Sequence, residues 1–230
     1  MRYLGDRLHA AGLSANVIRL AGHGTTPEDM EGVTWEDWYG SVLAGLDELA
    51  AHCSEIVVVG QSMGALLALK LAAEHRERVR GLVLLAPALV TSMPWLPWVT
   101  PLIPFVMTVA GDRFRFVGKD GGSDVADDAA RAAIPSYTRT PLRAVGQLVR
   151  LQEHVRALLP EVQQPILVIH SSQDHTCPLE NVAILQRELP NLVRTLILRD
   201  SFHVVSIDKD RDVVAAEVTA FVANGCGAGA

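Results

Sequence analysis

Residues Ile56 to Lys70, IVVVGQSMGALLALK, set two patterns on either side of one serine. Ile56 to Val59 are β-branched without interruption and end at Gly60, as in a short strand buried on both faces. From Met63 the composition turns to Gly-Ala-Leu-Leu-Ala-Leu-Lys-Leu-Ala-Ala, strongly helix-forming. Ser62 stands at the junction, inside Gly60-Gln61-Ser62-Met63-Gly64, a G-x-S-x-G pattern. Five residues with three fixed arise often by chance, but the strand-to-helix context narrows the meaning. Such a turn strains the serine backbone, calls for small neighbours, and lifts Oγ above the strand ends. It also sets the Met63 amide at a helix N-terminus, where a developing oxyanion is stabilised. The plainer reading is a serine that only caps a helix, and the rest of the chain must decide between the two.

Working outward, the pattern alternates strand and helix. Tyr3, Leu4, Leu8 and Ala11 recur at helical spacing, and Gly12 can end that helix. ANVIRLAG (15–22) reads as a strand, followed by the glycine-rich loop GHGTTPEDM. Thr34 with Asp37 forms a capping-box pattern for a helix running to about Ala51. RGLVLLAPA, PILVIHSSQD and VRTLILRD read as further strands, with helices over 178–189 and 210–224. These elements predict an α/β, doubly wound, mostly parallel sheet over residues 1–86 and 161–224. Residues 87–160 lose the alternation and read as a helical cap insertion, with a helix over about 142–159; residues 225–230 read as a flexible tail.

Composition excludes several classes. The 230 residues are 49% hydrophobic and 20% charged with a net charge of −6, enough for one core and without the basic footprint of a nucleic-acid or anionic-membrane binder. Cys53, Cys177 and Cys226 have no metal-ligand spacing, and three widely separated cysteines suit a reducing cytoplasm better than a disulfide framework. No metal and no cofactor are expected. The stretch from Pro94 to Gly111 is apolar but carries four prolines, so a cap lining is expected there rather than a membrane span.

A serine hydroxyl needs a base. Of eight histidines, His9, His52, His75 and His154 fall on predicted helices. His203 stands in the loop after the last strand, on the carboxyl edge of the sheet where Ser62 also lies. Asp174 follows the strand ILVI on the same edge and can orient the imidazole. The order Ser62, Asp174, His203 is the one an α/β-hydrolase shows. Asp200 is a rival too close along the chain to sit behind the ring, and Asp208 and Asp210 are expected to start the last helix. His170 and His175 are rival bases whose strand neighbourhood suits structural roles. His23 reads as a glycine-flexed turn bonding backbone groups, or alternatively as a site-lining residue.

With these residues in hand, the chain resembles the α/β-hydrolase superfamily, and within it the small bacterial carboxylesterases and monoacylglycerol lipases. RLAGHGTTPED, WEDWYGSV, VVVGQSMGALLALKLA, GLVLLAPA, PILVIHSSQDHTCPLENV and SFHVVSIDKDRDVV carry the resemblance over nearly the whole chain outside the cap. It implies that Ser62 is acylated, His203 acts as base and then acid, Asp174 holds the imidazole tautomer, and Met63 supplies one oxyanion amide. A small-molecule ester would be the substrate and water the co-substrate. Trp95, Trp98 and Phe105 of the cap, with His23, are carried as candidate substrate-lining residues. Alternatives are a lactonase, thioesterase or carbon–carbon bond hydrolase on the same triad, or a non-catalytic relative that binds without turnover.

The resemblance breaks at the N-terminus. Members carry a strand with a His-Gly motif before their first helix, and that strand supplies the second oxyanion amide. Met1 already opens the first helix here, so the sheet is expected to be N-terminally shortened between ANVIRL and EIVVVG. A missing natural N-terminus, direct pairing of the two flanking strands, or cover by another chain, as in a homodimer, would each account for it. The expectation is direct pairing, with a substitute donor from the loop around His23.

Overall fold

A computed structural model describes residues 1–103, 115–118, 122–134 and 137–227. In chain order these form α1 (Arg2–Ala10), α2 (Trp35–Ala50), β1 (Val57–Gln61), α3 (Met63–Glu74), β2 (Gly81–Leu85) and α4 (Leu96–Val99). There follow β3 (Phe116–Gly118), α5 (Asp128–Ala133), β4 (Arg139–Pro141), α6 (Leu142–Leu158), β5 (Ile166–Ser171), α7 (Glu180–Glu188), β6 (Leu192–Leu198) and α8 (Arg211–Ala223).

β1, β2, β5 and β6 make one parallel sheet in that order, while β3 and β4 form a small antiparallel ribbon. Helices cover the main sheet on both faces, and the period of two along the strands assigns each side chain to a face. Leu82 and Leu84 of β2, with Ile166 and Val168 of β5, pack with α2, α3, α6 and α7. Val83, Leu85, Leu167 and Ile169 pack on the other side with α1 and α8. This is the doubly wound arrangement expected from the alternating pattern. Every residue of α3 from Ala65 to Ala73 is buried, which explains its apolar composition, and the one charge among them, Lys70, is paired with Glu74. The Thr34–Asp37 capping box forms with both reciprocal bonds and starts α2.

Two expectations are corrected. Residues 13–20 join no ladder among the described residues, so ANVIRL is irregular chain rather than a fifth strand, and it does not pair with β1. A parallel strand needs a hydrogen-bonded neighbour, and none lies on that side of β1. The segment is held by its side chains instead. Ile18 lies where a Cβ on Gly45 of α2 would come within 2.3 Å of its Cδ1, and Val17 sits against Gly5 of α1 in the same way. The edge is correspondingly half-covered: Val57, Val58 and Val59 are only partly buried, whereas all of β2 and β5 is buried.

The start of the expected tail, from residue 225, is packed against the core. Cys226 is buried, its Sγ fills the space beside Gly81, and its N–H donates to Phe221 O at 2.9 Å. Within residues 87–160, α6 is integrated with the main core through Leu151 and Val155. No described helix is long and apolar enough to cross a membrane.

Candidate active site

The turn between β1 and α3 has the strain its sequence implies. Ser62 has φ 55° and ψ −119°, a left-handed-side conformation that a side-chain-bearing residue adopts only under constraint. Its N–H continues the β1–β2 ladder to Leu85 O at 2.9 Å. A Cβ on Gly60 would lie 2.2 Å from the carbonyl oxygen of Gly64, so position 60 admits only glycine. Gly64 is different, since an added Cβ there meets nothing within 4 Å. The clash expected from both flanking glycines thus applies to the first alone.

The three candidate triad residues, far apart in sequence, meet at the carboxyl ends of β1, β5 and β6. Ser62 Oγ is 2.9 Å from His203 Nε2, and His203 Nδ1 is 2.8 Å from Asp174 Oδ2. The other carboxylate oxygen of Asp174 accepts N–H bonds from Thr176 at 2.9 Å and Cys177 at 2.7 Å. Because a carboxylate only accepts, His203 must carry its proton on Nδ1, leaving Nε2 as the acceptor facing the serine. Burial by itself pushes the Asp174 carboxyl up. The hydrogen bond and charge of His203, with the Cys177 N–H, outweigh this and hold it below the usual carboxylate value.

The rivals have other roles. His170 is fully buried; its Nε2 donates to Cys177 O at 3.0 Å, lying 3.5 Å from Asp174 Oδ2, and Nδ1 has no partner among the described residues. Burial lowers its pKa, so it stays neutral as a prop beneath the Asp174 loop. Burial also pushes the Cys177 thiol up, which makes it inert beside the triad. Asp210 precedes α8 but makes no side-chain cap; its carboxylate bonds the N–H groups of Asp200 and Ser201 instead. Asp208 likewise turns away from the helix, toward Phe202 N–H at 2.7 Å. The last helix starts without either carboxylate capping it, because the loop carrying His203 takes both.

As the first residue of α3, Met63 has an N–H with no carbonyl of its own helix to bond. Met63 also borders a cleft of about 580 Å³, lined among others by His23, Met30, Trp38, Tyr137, Val145 and Leu148. His23 thereby fits both readings of it. Its Nδ1 donates to Ala21 O at 3.0 Å, which shapes the turn, and its ring borders the cleft. Tyr137 ties the insertion to this loop, accepting from Thr25 N–H at 2.9 Å and donating to Gly22 O at 3.1 Å.

Trp95 and Trp98 do not line the cleft. They are 55% and 83% exposed, because prolines confine α4 to a single turn that buries only Leu96. Phe105 lies outside the described residues. Met30, Trp38, Tyr137, Val145 and Leu148 were not singled out in the sequence. Trp38 of α2 and Val145 and Leu148 of α6 belong to apolar helix faces, Met30 and Tyr137 lie outside the long helices, and nothing local tells a cleft wall from core.

A strained serine on a strand-to-helix turn, relayed through histidine to a buried carboxylate over a parallel α/β sheet, defines a serine hydrolase of the α/β-hydrolase class. The chain belongs to the serine aminopeptidase S33 family, whose model matches residues 1–210. It is 32% identical over 228 residues to a thermostable monoacylglycerol lipase of Bacillus sp. (strain H-257), covering 99% of this chain and 86% of that protein. It is 26% identical over 225 residues to a carboxylesterase of Bacillus subtilis (strain 168), covering 96% and 86%. Among solved structures, a metagenome-derived lipolytic enzyme superposes with a TM-score of 0.86 at 28% identity, covering 97% of this chain and 87% of that one. The protein is thus an esterase- or lipase-type serine hydrolase, and the lactonase, thioesterase, carbon–carbon hydrolase and non-catalytic alternatives are not favoured.

Proposed function

We propose that the chain hydrolyses carboxylic esters of short-to-medium acyl chains, monoacylglycerols included, through an acyl-enzyme on Ser62. The observation that carries this reading is the unbroken relay Ser62–His203–Asp174, with Met63, the neighbour of Ser62, bordering a cleft with an apolar wall. His203 Nε2 takes the Ser62 proton as Oγ attacks the ester carbonyl, and the imidazolium returns it to the leaving alcohol. Water then repeats the cycle on the acyl-enzyme. The Met63 N–H receives the oxyanion.

His23 cannot supply the second oxyanion donor while neutral. With its proton on Nδ1, held by Ala21 O, its Nε2 only accepts. The donor is therefore assigned to a backbone amide of the same turn, that of Gly24, which borders the cleft with Met63. The free Nε2 of His23 suits a hydroxyl of a polyol leaving group, which favours glycerol esters over simple alkyl esters. Met30, Trp38, Val145 and Leu148 offer the acyl chain an apolar wall, where each buried methylene contributes about 0.8 kcal/mol. The three unpaired cysteines support a reducing, cytoplasmic location.

The test is a panel of esters graded in acyl length, with lactones and thioesters as controls, run on the native chain and on Ser62→Ala. The expected result is ester turnover and fluorophosphonate labelling in the native chain, both lost in the variant. Turnover surviving in Ser62→Ala would refute the acyl-enzyme.

A further inference from the structure

His203 sits on an irregular stretch between β6 and α8, yet its ring must meet Asp174 and Ser62 at 2.8 and 2.9 Å simultaneously. A loop does not hold such geometry without anchors. The anchors come from residues 124–127 of the insertion. The residue before His203, Phe202, donates its N–H to Asp208 Oδ2 at 2.7 Å. The residue after it, Val204, donates its N–H to Asp124 O at 3.2 Å. Asp208 is fully buried and also accepts N–H bonds from Ala126 and Asp127, each at 2.9 Å, and from Lys209 at 2.9 Å. All four partners are backbone amides. In the opposite direction, the Asp124 carboxylate accepts from the N–H of His175 at 3.0 Å, its Nδ1 at 2.9 Å and Thr176 Oγ1 at 3.1 Å. His175 is the neighbour of Asp174.

We infer that residues 124–127 clamp the two triad loops together, with Asp208 and Asp124 as positioning residues that set the reach of His203 to Ser62 and Asp174. One carboxylate crosses from the core to the insertion and the other crosses back, so both triad loops are registered against the same four residues. Neither carboxylate bonds a triad side chain: Asp208 acts through backbone amides, and Asp124 through the backbone and side chains of the two residues that follow Asp174. The inference rests on the ester-hydrolase reading with His203 as base. Ser62→Ala tests that reading, and the variants below test only the clamp.

Asp208→Asn keeps the shape but replaces an acceptor oxygen by an NH2 group that faces amide donors. The assay is steady-state ester hydrolysis well below the melting midpoint, with kcat normalised to sites titrated by a fluorophosphonate. Misplacing the base leaves substrate binding alone and slows the chemistry, so kcat per titrated site should fall about 10- to 100-fold while KM stays within about twofold. Any other pattern overturns the clamp, including a lowered melting midpoint with kcat per site nearly native. Asp124→Asn is read by the same criterion should Asp208→Asn not accumulate as folded protein.

Discussion

Asp174→Asn is the substitution whose consequence follows most closely from the geometry. The carboxylate meets two N–H donors on Oδ1, Thr176 at 2.9 Å and Cys177 at 2.7 Å, and the His203 ring on Oδ2. An asparagine side chain in this place keeps its oxygen toward the two amides, because turning it over would set an NH2 group against both. Its NH2 then faces His203 Nδ1 at 2.8 Å, where two donors cannot meet. The imidazole responds by moving its proton to Nε2, which points at Ser62 Oγ 2.9 Å away. A ring protonated there cannot take the serine proton. Loss of the base by a wrong tautomer lowers kcat about 10⁴-fold, equivalent to about 5 kcal/mol of transition-state stabilisation. KM should change little, since the Asp174 side chain is fully buried behind His203 and bonds only that ring and two amides of its own loop. The assay is ester hydrolysis by titrated enzyme at neutral pH, with melting curves run alongside. A fall of less than about tenfold in a folded variant would refute the tautomer reasoning.

Two further outcomes are expected. Gly60→Ala drives a Cβ to 2.2 Å from the Gly64 carbonyl oxygen and should cost about 3 kcal/mol or prevent folding, whereas Gly64→Ala meets open space and should stabilise α3 by up to about 1 kcal/mol; equal melting midpoints for the two would contradict this. Acid should weaken the fold in two stages. His170 has a lowered pKa when folded, so its contribution is full above the ordinary value of 6.5 and declines as pH falls below it. Asp174, and Glu31 held by Arg115, are depressed carboxyls; theirs is present above the ordinary 3.8 and 4.5 and is lost as pH falls through the folded values. Melting midpoints from pH 8 to 3 should therefore decline below about 6.5 and steepen below about 4.5, and His170→Gln should flatten the first stage; a decline unchanged in that variant would reject the assignment.

The parts legible in the sequence were those decided by neighbours in the chain. The β-branched run before Gly60, the Thr34–Asp37 pair and the apolar surface of α3 each carry their own reason for a strand, a cap or a buried helix. The meeting of Ser62, Asp174 and His203 could also be anticipated, because parallel strands bring the loops at their carboxyl ends to one edge. ANVIRL was misread because its composition fits a strand, while a strand exists only beside a partner, and that partner is a matter of the whole sheet. Trp95 and Trp98, exposed and outside the wall of this cleft, make a related point. Apolar character says that a side chain benefits from cover, not which surface supplies it. Asp124 and Asp208 could not be told from ordinary loop and helix-start acids, since the partners that give them a role include groups about 50 and 80 residues away, His175 and Thr176 for Asp124, Ala126 and Asp127 for Asp208.

The seam between β2 and β5 has a bearing on how the chain reaches this state. The β1–β2 register, Val57 with Gly81, joins residues only one helix apart, so that βαβ unit can form early. The β2–β5 register, Leu82 with Ile166, closes a loop of about 80 residues, and by loop-closure entropy this costs only about 1 kcal/mol more than closing the shorter one. Every doubling of the intervening chain adds about 0.6 kcal/mol. The sheet can therefore tolerate insertions of very different length at this one seam while the strand register and the edge that carries the serine stay the same. Diversification of what the fold accepts as substrate is thermodynamically cheap there.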